Sequence, residues 1–216
     1  MVKALAKSKL IPPNLSQKLP LTHITAFHDE DCIKLSLIQD CTFEAQNATN
    51  IAFSQVLFKN VIFNCIHWPF AKITDTIFEK CDLSNVDFSQ CFMDRVRLTN
   101  CKLVGIDMTE TYLRNTVFDD CNAAYSVLRY TDCKKVNFHN SSFAEADFYS
   151  ATLNDVSFAH CNLDKVQFSG TKLAGIDLST CQFYQLGLTP DNLRGCIIAP
   201  EQAIALANIF GVIIKE

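Results

Sequence analysis

The sequence predicts an all-β solenoid, a quadrilateral parallel β-helix of about 20 residues per coil with seven to eight coils. Three observations predict it. Large apolar residues recur at every fifth position from Phe43 to Leu193. Phe, Leu, Ile, Met or Trp fills 28 of these 31 positions, and Ala48, Ala123 and Cys133 are the exceptions. Two residues earlier stands Cys, Val, Ile, Thr, Ser or Ala in 28 of 31 cases, with nothing inserted or deleted. Lastly, Cys41, Cys81, Cys101, Cys121, Cys161 and Cys181 belong to one series spaced by multiples of 20, completed by Val61 and Ser141.

A period of five fits neither an α-helix nor a plain strand. In extended chain, however, the small and the large residue of each unit point to one side, and the residue between them points away. The other two residues must turn the chain, and Asn, Asp, Ser and Gly are common there. Each unit is therefore a short extended segment plus a corner. If four units close a coil, the cysteine series stacks in one inner column, where a thiol acts as a small apolar filler. At ~4.8 Å per coil the rod is about 36 Å long.

Residues 1–40 keep the count poorly. IPPNLSQKLP, with Pro12, Pro13 and Pro20, reads as extended chain. Ala52, Leu57, Ile62 and Ile77 hold outward positions in the first coils, so the 1–40 segment is expected to cover them as a cap. Residues 41–198 form the repeat. In 199–216, Pro200 starts a helix to about Ile209, Gly211 stops it, and Val212, Ile213 and Ile214 form a short strand. Ile204, Leu206, Ala207 and Phe210, together with that strand, carry more apolar surface than one coil end hides. This end is therefore expected to join a second copy as a homodimer.

Composition narrows the function. With 23 acidic against 19 basic residues, the chain lacks the basic excess of a nucleic-acid binder, and no direct nucleic-acid contact is expected. The start, MVKALAKSKLIPPNL, has no apolar run of a leader, and no stretch reaches membrane-span length, so the expected location is the cytoplasm, away from the membrane. The eleven cysteines include no C-x-x-C, and a reducing compartment disfavours disulfides. His139 and His160 fall on one side of adjacent coils, but two ligands do not make a metal site. Cys133 sits at a large-residue position, where it is buried and inert. There is no Gly-rich phosphate loop and no G-x-S-x-G. A tube filled with side chains leaves no pocket, so no catalytic residue, cofactor or metal is expected.

What remains is the surface. The side holding large residues 48 to 188 carries Asp87, Asp107, Glu110 and Asp147 against Arg129 alone, a net of −3. The side holding 53 to 193 carries seven bases and five acids. On the acidic side Phe70, Tyr130 and Tyr149 stand at outward or corner positions, which makes this face the candidate contact surface.

The units CDLSN, VDFSQ, CNLDK and AEADF resemble those of pentapeptide-repeat proteins. That likeness implies a right-handed quadrilateral β-helix. The tail LRGCIIAPEQAIALANIFGVIIKE, the opening IPPNLSQKLP and the stretch CNAAYSVLRY resemble the chromosomal, loop-less kind within the Qnr and MfpA group. This resemblance implies binding to DNA gyrase and topoisomerase IV by mimicry of duplex DNA, protection of both from quinolones, and a head-to-head homodimer through the tail. Plasmid-borne Qnr proteins carry two enzyme-contacting loops, whereas here the register is unbroken from 43 to 193. A loop-free rod resembles the MfpA-like inhibitors as well. An immunity factor against a topoisomerase toxin and a scaffold for another partner are the further alternatives. About 36 Å of duplex carries roughly 21 charges. The repeat region has 17 acids against 13 bases, so any mimicry rests on shape and on the acidic side.

Overall fold

A computed structural model describes residues 9–213. Its organising feature is the backbone of every fifth residue. From Glu30 to Gly175 each such residue has φ between 46° and 80°, and only Gly105, Gly170 and Gly175 in the series are glycine. A left-handed residue reverses the chain locally, so each one is a corner. Asn and Asp accept this conformation readily, whereas a bulky side chain there costs roughly 1–2 kcal/mol. The polar column of the sequence is thus a column of corners.

Strands β1 (Cys32–Gln39), β2 (Thr42–Asn47), β3 (Ala52–Lys59), β4 (Ile62–His67) and β5 (Lys72–Glu79) open the solenoid. Strands β6 (Phe92–Thr99), β7 (Tyr112–Asp119), β8 (Asp132–His139) and β9 (Thr152–Ala159) continue it. Pairing is parallel with partners 20 residues apart, as in Phe53↔Ile73 and Leu98↔Phe118, so four corners close each coil. β1, β3 and β5 to β9 form one seven-stranded sheet that bends at a corner over two sides of the rod. The other two sides hold β2 paired with β4 and then single bridges, such as Asp82↔Lys102 and Asp87↔Asp107. Strands β10 (Val166–Gln167) and β11 (Leu186–Gly187) pair at the C-terminal end. β1 lies inside the 1–40 segment, so the coils begin ahead of the expected start at 41.

The core is the predicted one. Large residues of successive coils stack, with Phe58–Phe78 ring centroids at 4.9 Å and Phe138–Phe158 at 4.8 Å. Cys81, Cys101, Cys121, Cys161 and Cys181 are buried in one column. The small column does more than fill space. Thr111 Oγ1 donates to Phe88 O at 2.7 Å, Thr171 Oγ1 to Phe148 O at 2.6 Å, and Cys101 Sγ to Phe78 O at 3.3 Å. A thiol and a hydroxyl of similar size serve the same carbonyls, which is why Cys, Ser and Thr share this column with Val.

The N-terminal segment is a cap and a strap. Leu21 bridges Leu37 at the sheet edge, and Phe27 enters the open end with its ring 4.7 Å from both Phe43 and Trp68. Further back, the Ile11 N–H donates to Asn115 Oδ1 at 3.3 Å and the Asn14 N–H to Asp75 Oδ1 at 2.9 Å. Ala52, Leu57 and Ile77 are half-buried, but Ile62 stays exposed, contrary to the expected cover.

At the other end, a 3₁₀ turn (Pro190–Leu193) leads to helix α1 (Gln202–Ala207), and a second 3₁₀ turn (Asn208–Phe210) follows α1. The helix is shorter than the expected span from Pro200 to Ile209, and Gly211 at φ 71° ends this module. Buried Gln202 holds α1 on the last coil. Its Nε2 donates to Leu178 O at 2.9 Å and Cys181 O at 2.7 Å, while Oε1 accepts the Ala199 N–H at 2.8 Å. Leu206 turns into the core, so it is not available to a second copy as expected. Val212 and Ile213 are exposed and belong to no strand, and Ile214 lies outside the described residues.

Candidate functional site

Asp87 and Asp107 sit one coil apart, and the bridges Asp107↔Val127 and Val127↔Asp147 place Asp147 in the same column. Each aspartate is followed by a tight turn, and each holds that turn. The N–H groups of Ser89, Thr109 and Tyr149 donate to Oδ1 of Asp87, Asp107 and Asp147 at 2.8 Å each. Only the second carboxylate oxygen faces outward charge freely. Asp147 Oδ2 meets Arg129 Nε at 2.8 Å, and Asp87 Oδ2 lies 3.8 Å from His67 Nδ1. Glu110 occupies a corner and accepts Gln90 Nε2 at 2.8 Å. Among the described ion pairs, Asp107 and Glu110 have no basic partner.

The two tyrosines join this face. Tyr130 and Tyr149 meet edge to face at 5.6 Å, and the Arg129 guanidinium lies 5.4 Å over the Tyr149 ring. All six predicted contact residues therefore share one side of the rod.

Phe92 and Tyr112 extend the surface beyond the predicted set. They are exposed register partners that open β6 and β7, just round the corner from Phe70, Gln90, Glu110 and Tyr130. Arg114 lies 5.6 Å over Tyr112, and its Nη2 meets Asp132 Oδ2 at 2.6 Å. Outward Phe92 and Tyr112 are 20 residues apart in the sequence, but they belong to the side next to that of Tyr149, and the corner of the fold brings the two sides together. A shallow groove runs between these columns.

Elsewhere the titratable groups serve the frame. Arg95 Nε and Nη2 each reach the Asp75 carboxylate at 2.7 Å, holding that carboxyl below its ordinary value of 3.8. Burial pushes the Cys91 and Cys133 thiols up to about 12, far from nucleophilic use at neutral pH. His139 and His160 come together with ring centroids 6.0 Å apart, and His139 Nδ1 sits 2.8 Å from Asp119 Oδ1. Among the described residues no three His, Cys, Asp or Glu side chains are grouped to hold a metal. None of the described helices is long and apolar enough to cross a membrane. At the C-terminal end Ile204, Phe210, Val212 and Ile213 are exposed together, while Ala207 is half-buried.

Comparison with known proteins matches the description Pentapeptide repeat region at residues 71–139 and 131–201, and Pentapeptide repeats (8 copies) at residues 51–90. The uncharacterized protein YisX of Bacillus subtilis (strain 168) is 36% identical over 206 residues, covering 94% of this chain and 96% of YisX. Among solved structures, HetL of Nostoc sp. strain PCC 7120, a protein involved in heterocyst differentiation regulation, matches 79% of this chain and 90% of its own. That match has 14% identity and a TM-score of 0.42. Full-length QnrB1, a plasmid-mediated fluoroquinolone resistance protein, matches 87% of this chain and 98% of its own, with 16% identity and a TM-score of 0.36. Structural likeness at this level says nothing of what this chain binds.

Proposed function

This chain belongs to the pentapeptide-repeat family, and we propose on that premise that it is a binding rod whose partners are DNA gyrase and topoisomerase IV. It acts in the cytoplasm by occupying their DNA-binding surface, without catalysis of its own, and so protects them from fluoroquinolones. The observation that supports this reading is the column of Asp87, Asp107 and Asp147 with Glu110, Tyr130 and Tyr149 on one side of a rod. Asp87 and Asp107 stand one coil apart, at ~4.8 Å, and Asp147 follows beyond Val127, so that side carries a broken line of negative charge, sparser than the phosphates of a duplex. Two copies join through Ile204, Ala207, Phe210, Val212 and Ile213, which would lengthen the rod by symmetry.

Direct binding tests the partner. Immobilised protein should capture purified gyrase and topoisomerase IV in a salt-sensitive manner, since exposed charges are screened. The fourfold variant Asp87→Asn, Asp107→Asn, Glu110→Gln, Asp147→Asn should bind at least tenfold more weakly. Undiminished capture by that variant would show that another face makes the contact.

A second reading is favoured by one feature. The repeat register runs through the coils with no inserted loop. A rod without protecting loops suits a gyrase inhibitor or an immunity factor against a topoisomerase toxin. Both use the same acidic face and differ only in whether the bound enzyme keeps turning over.

A further inference from the structure

We propose that the corner groove beside the acidic face is a docking site for an arginine-bearing segment of the partner protein. The inference rests on the reading that this face is where the partner binds. It adds the chemistry that the partner must present.

The first support is the distribution of aromatic surface. Eight Phe and Tyr side chains are exposed among the described residues, and Phe70, Phe92, Tyr112, Tyr130 and Tyr149 all lie along this one corner. Clustered aromatics on a water-facing edge mark a contact site more than a packing need.

The second is strain. Phe70 and Tyr130 are corner residues, with φ of 61° and 56°. Most other corners use Asn, Asp, Ser, Lys or Gln, which sit there at lower cost or with better solvation. Tyr130 gains only the edge contact with Tyr149, and exposed Phe70 little packing, for that strain, which favours a use in contact with a partner; Tyr125, on the next corner, is the one other aromatic corner among the described residues.

The third is a repeated arrangement within the chain. Arg114 lies over Tyr112 and pairs with Asp132, and Arg129 lies over Tyr149 and pairs with Asp147. Each is a guanidinium held between a tyrosine face and a carboxylate. Glu110, which lies between Gln90 and Tyr130 in the corner column, offers the same ring and carboxylate, and among the described ion pairs it has no cation. A partner arginine completes it. Arginine suits the place better than lysine because its plane stacks on a ring while its N–H fork meets the carboxylate.

The test uses the full chain, uniformly ¹⁵N-labelled, titrated with a short peptide carrying two arginines separated by glycine. The amides of Gln90, Glu110 and Tyr130 should shift saturably. The matching lysine peptide should bind at least threefold more weakly. The variant Phe70→Asn, Glu110→Gln, Tyr130→Asn should lose the shifts yet melt at or above the wild-type temperature, because Asn relieves both corners. Glu110→Gln alone, which keeps the corner shape, should weaken binding at least threefold. Absent shifts in the wild type, or shifts unchanged in the triple variant, would overturn the inference. The two readings fail separately. If gyrase binds wild type and triple variant equally, the groove is wrong and the topoisomerase reading stands. If no topoisomerase binds but the peptide titrates the groove, the reverse holds.

Discussion

Asp87 and Asp107 stand one above the other in adjacent coils, and each uses Oδ1 to accept the backbone N–H two residues on at 2.8 Å. The charge that marks this face is therefore also part of the hinge of its turns. Charge and fold can be separated because Asn keeps the acceptor and loses the charge. Asn122 and Asn162 already fill the equivalent role, accepting from Ala124 and Asp164 N–H at 3.3 Å and 3.0 Å.

It follows that Asp107→Asn should leave stability within about 0.5 kcal/mol of wild type. Asp107→Lys should cost about 1 kcal/mol, because a turn N–H loses its acceptor. Urea denaturation of the two variants measures both. Equal costs would show that the turn bond contributes nothing.

The cysteine column predicts a reactivity pattern. Cys32 and Cys65 are the exposed thiols of the eleven. A thiol reagent at pH 8 should label Cys32 and Cys65 quickly in the native protein, half-buried Cys41 and Cys196 more slowly, and the seven buried thiols only after denaturant. Cys101→Val should cost less than about 1.5 kcal/mol, since the same column already holds Val61 and the swap nearly conserves volume. A much larger loss would mean that the thiol does more than pack and donate one weak bond.

Asp75 links the strap to the rod, and its acid behaviour follows from the sign of its shift. Arg95 first, and the Asn14 N–H to a lesser degree, hold its carboxyl below the ordinary 3.8. A depressed folded value means that the stabilisation is fully present above the unfolded value of about 3.9 and is lost as pH falls through the folded value. Wild-type protein should thus lose melting temperature faster than Asp75→Ala as pH falls below about 4. The amide of Asn14 should lose exchange protection over the same range. Parallel curves for the two proteins would remove Asp75 from the account.

The exposed tail predicts assembly. Phe210 and Ile213 carry apolar surface into solvent, and Phe210→Asp places a charge there. Light scattering should give a dimer for wild type and a monomer for the variant. A monomeric wild type would refute the tail interface.

The solenoid was legible because its period is held without interruption, and each residue of the unit has one geometric job. Phe58 over Phe78 and the stacked Cys81, Cys101 and Cys121 follow from the count alone. What was not legible came from contacts that cross the period. The plug of Phe27 against Trp68, the grip of Gln202 on Leu178 and Cys181, and the inward turn of Leu206 depend on how nonrepetitive ends meet the last coils. The Tyr112 side of the groove was missed for a simpler reason. A corner brings together residues of two sides that lie in different columns of the sequence repeat.

The most direct test of the proposed function is gyrase supercoiling with purified protein titrated in the presence and absence of a fluoroquinolone. Restored supercoiling in drug, at protein levels that leave the drug-free reaction unchanged, is the predicted result. No effect in either arm, across concentrations well above that of gyrase, would contradict the account.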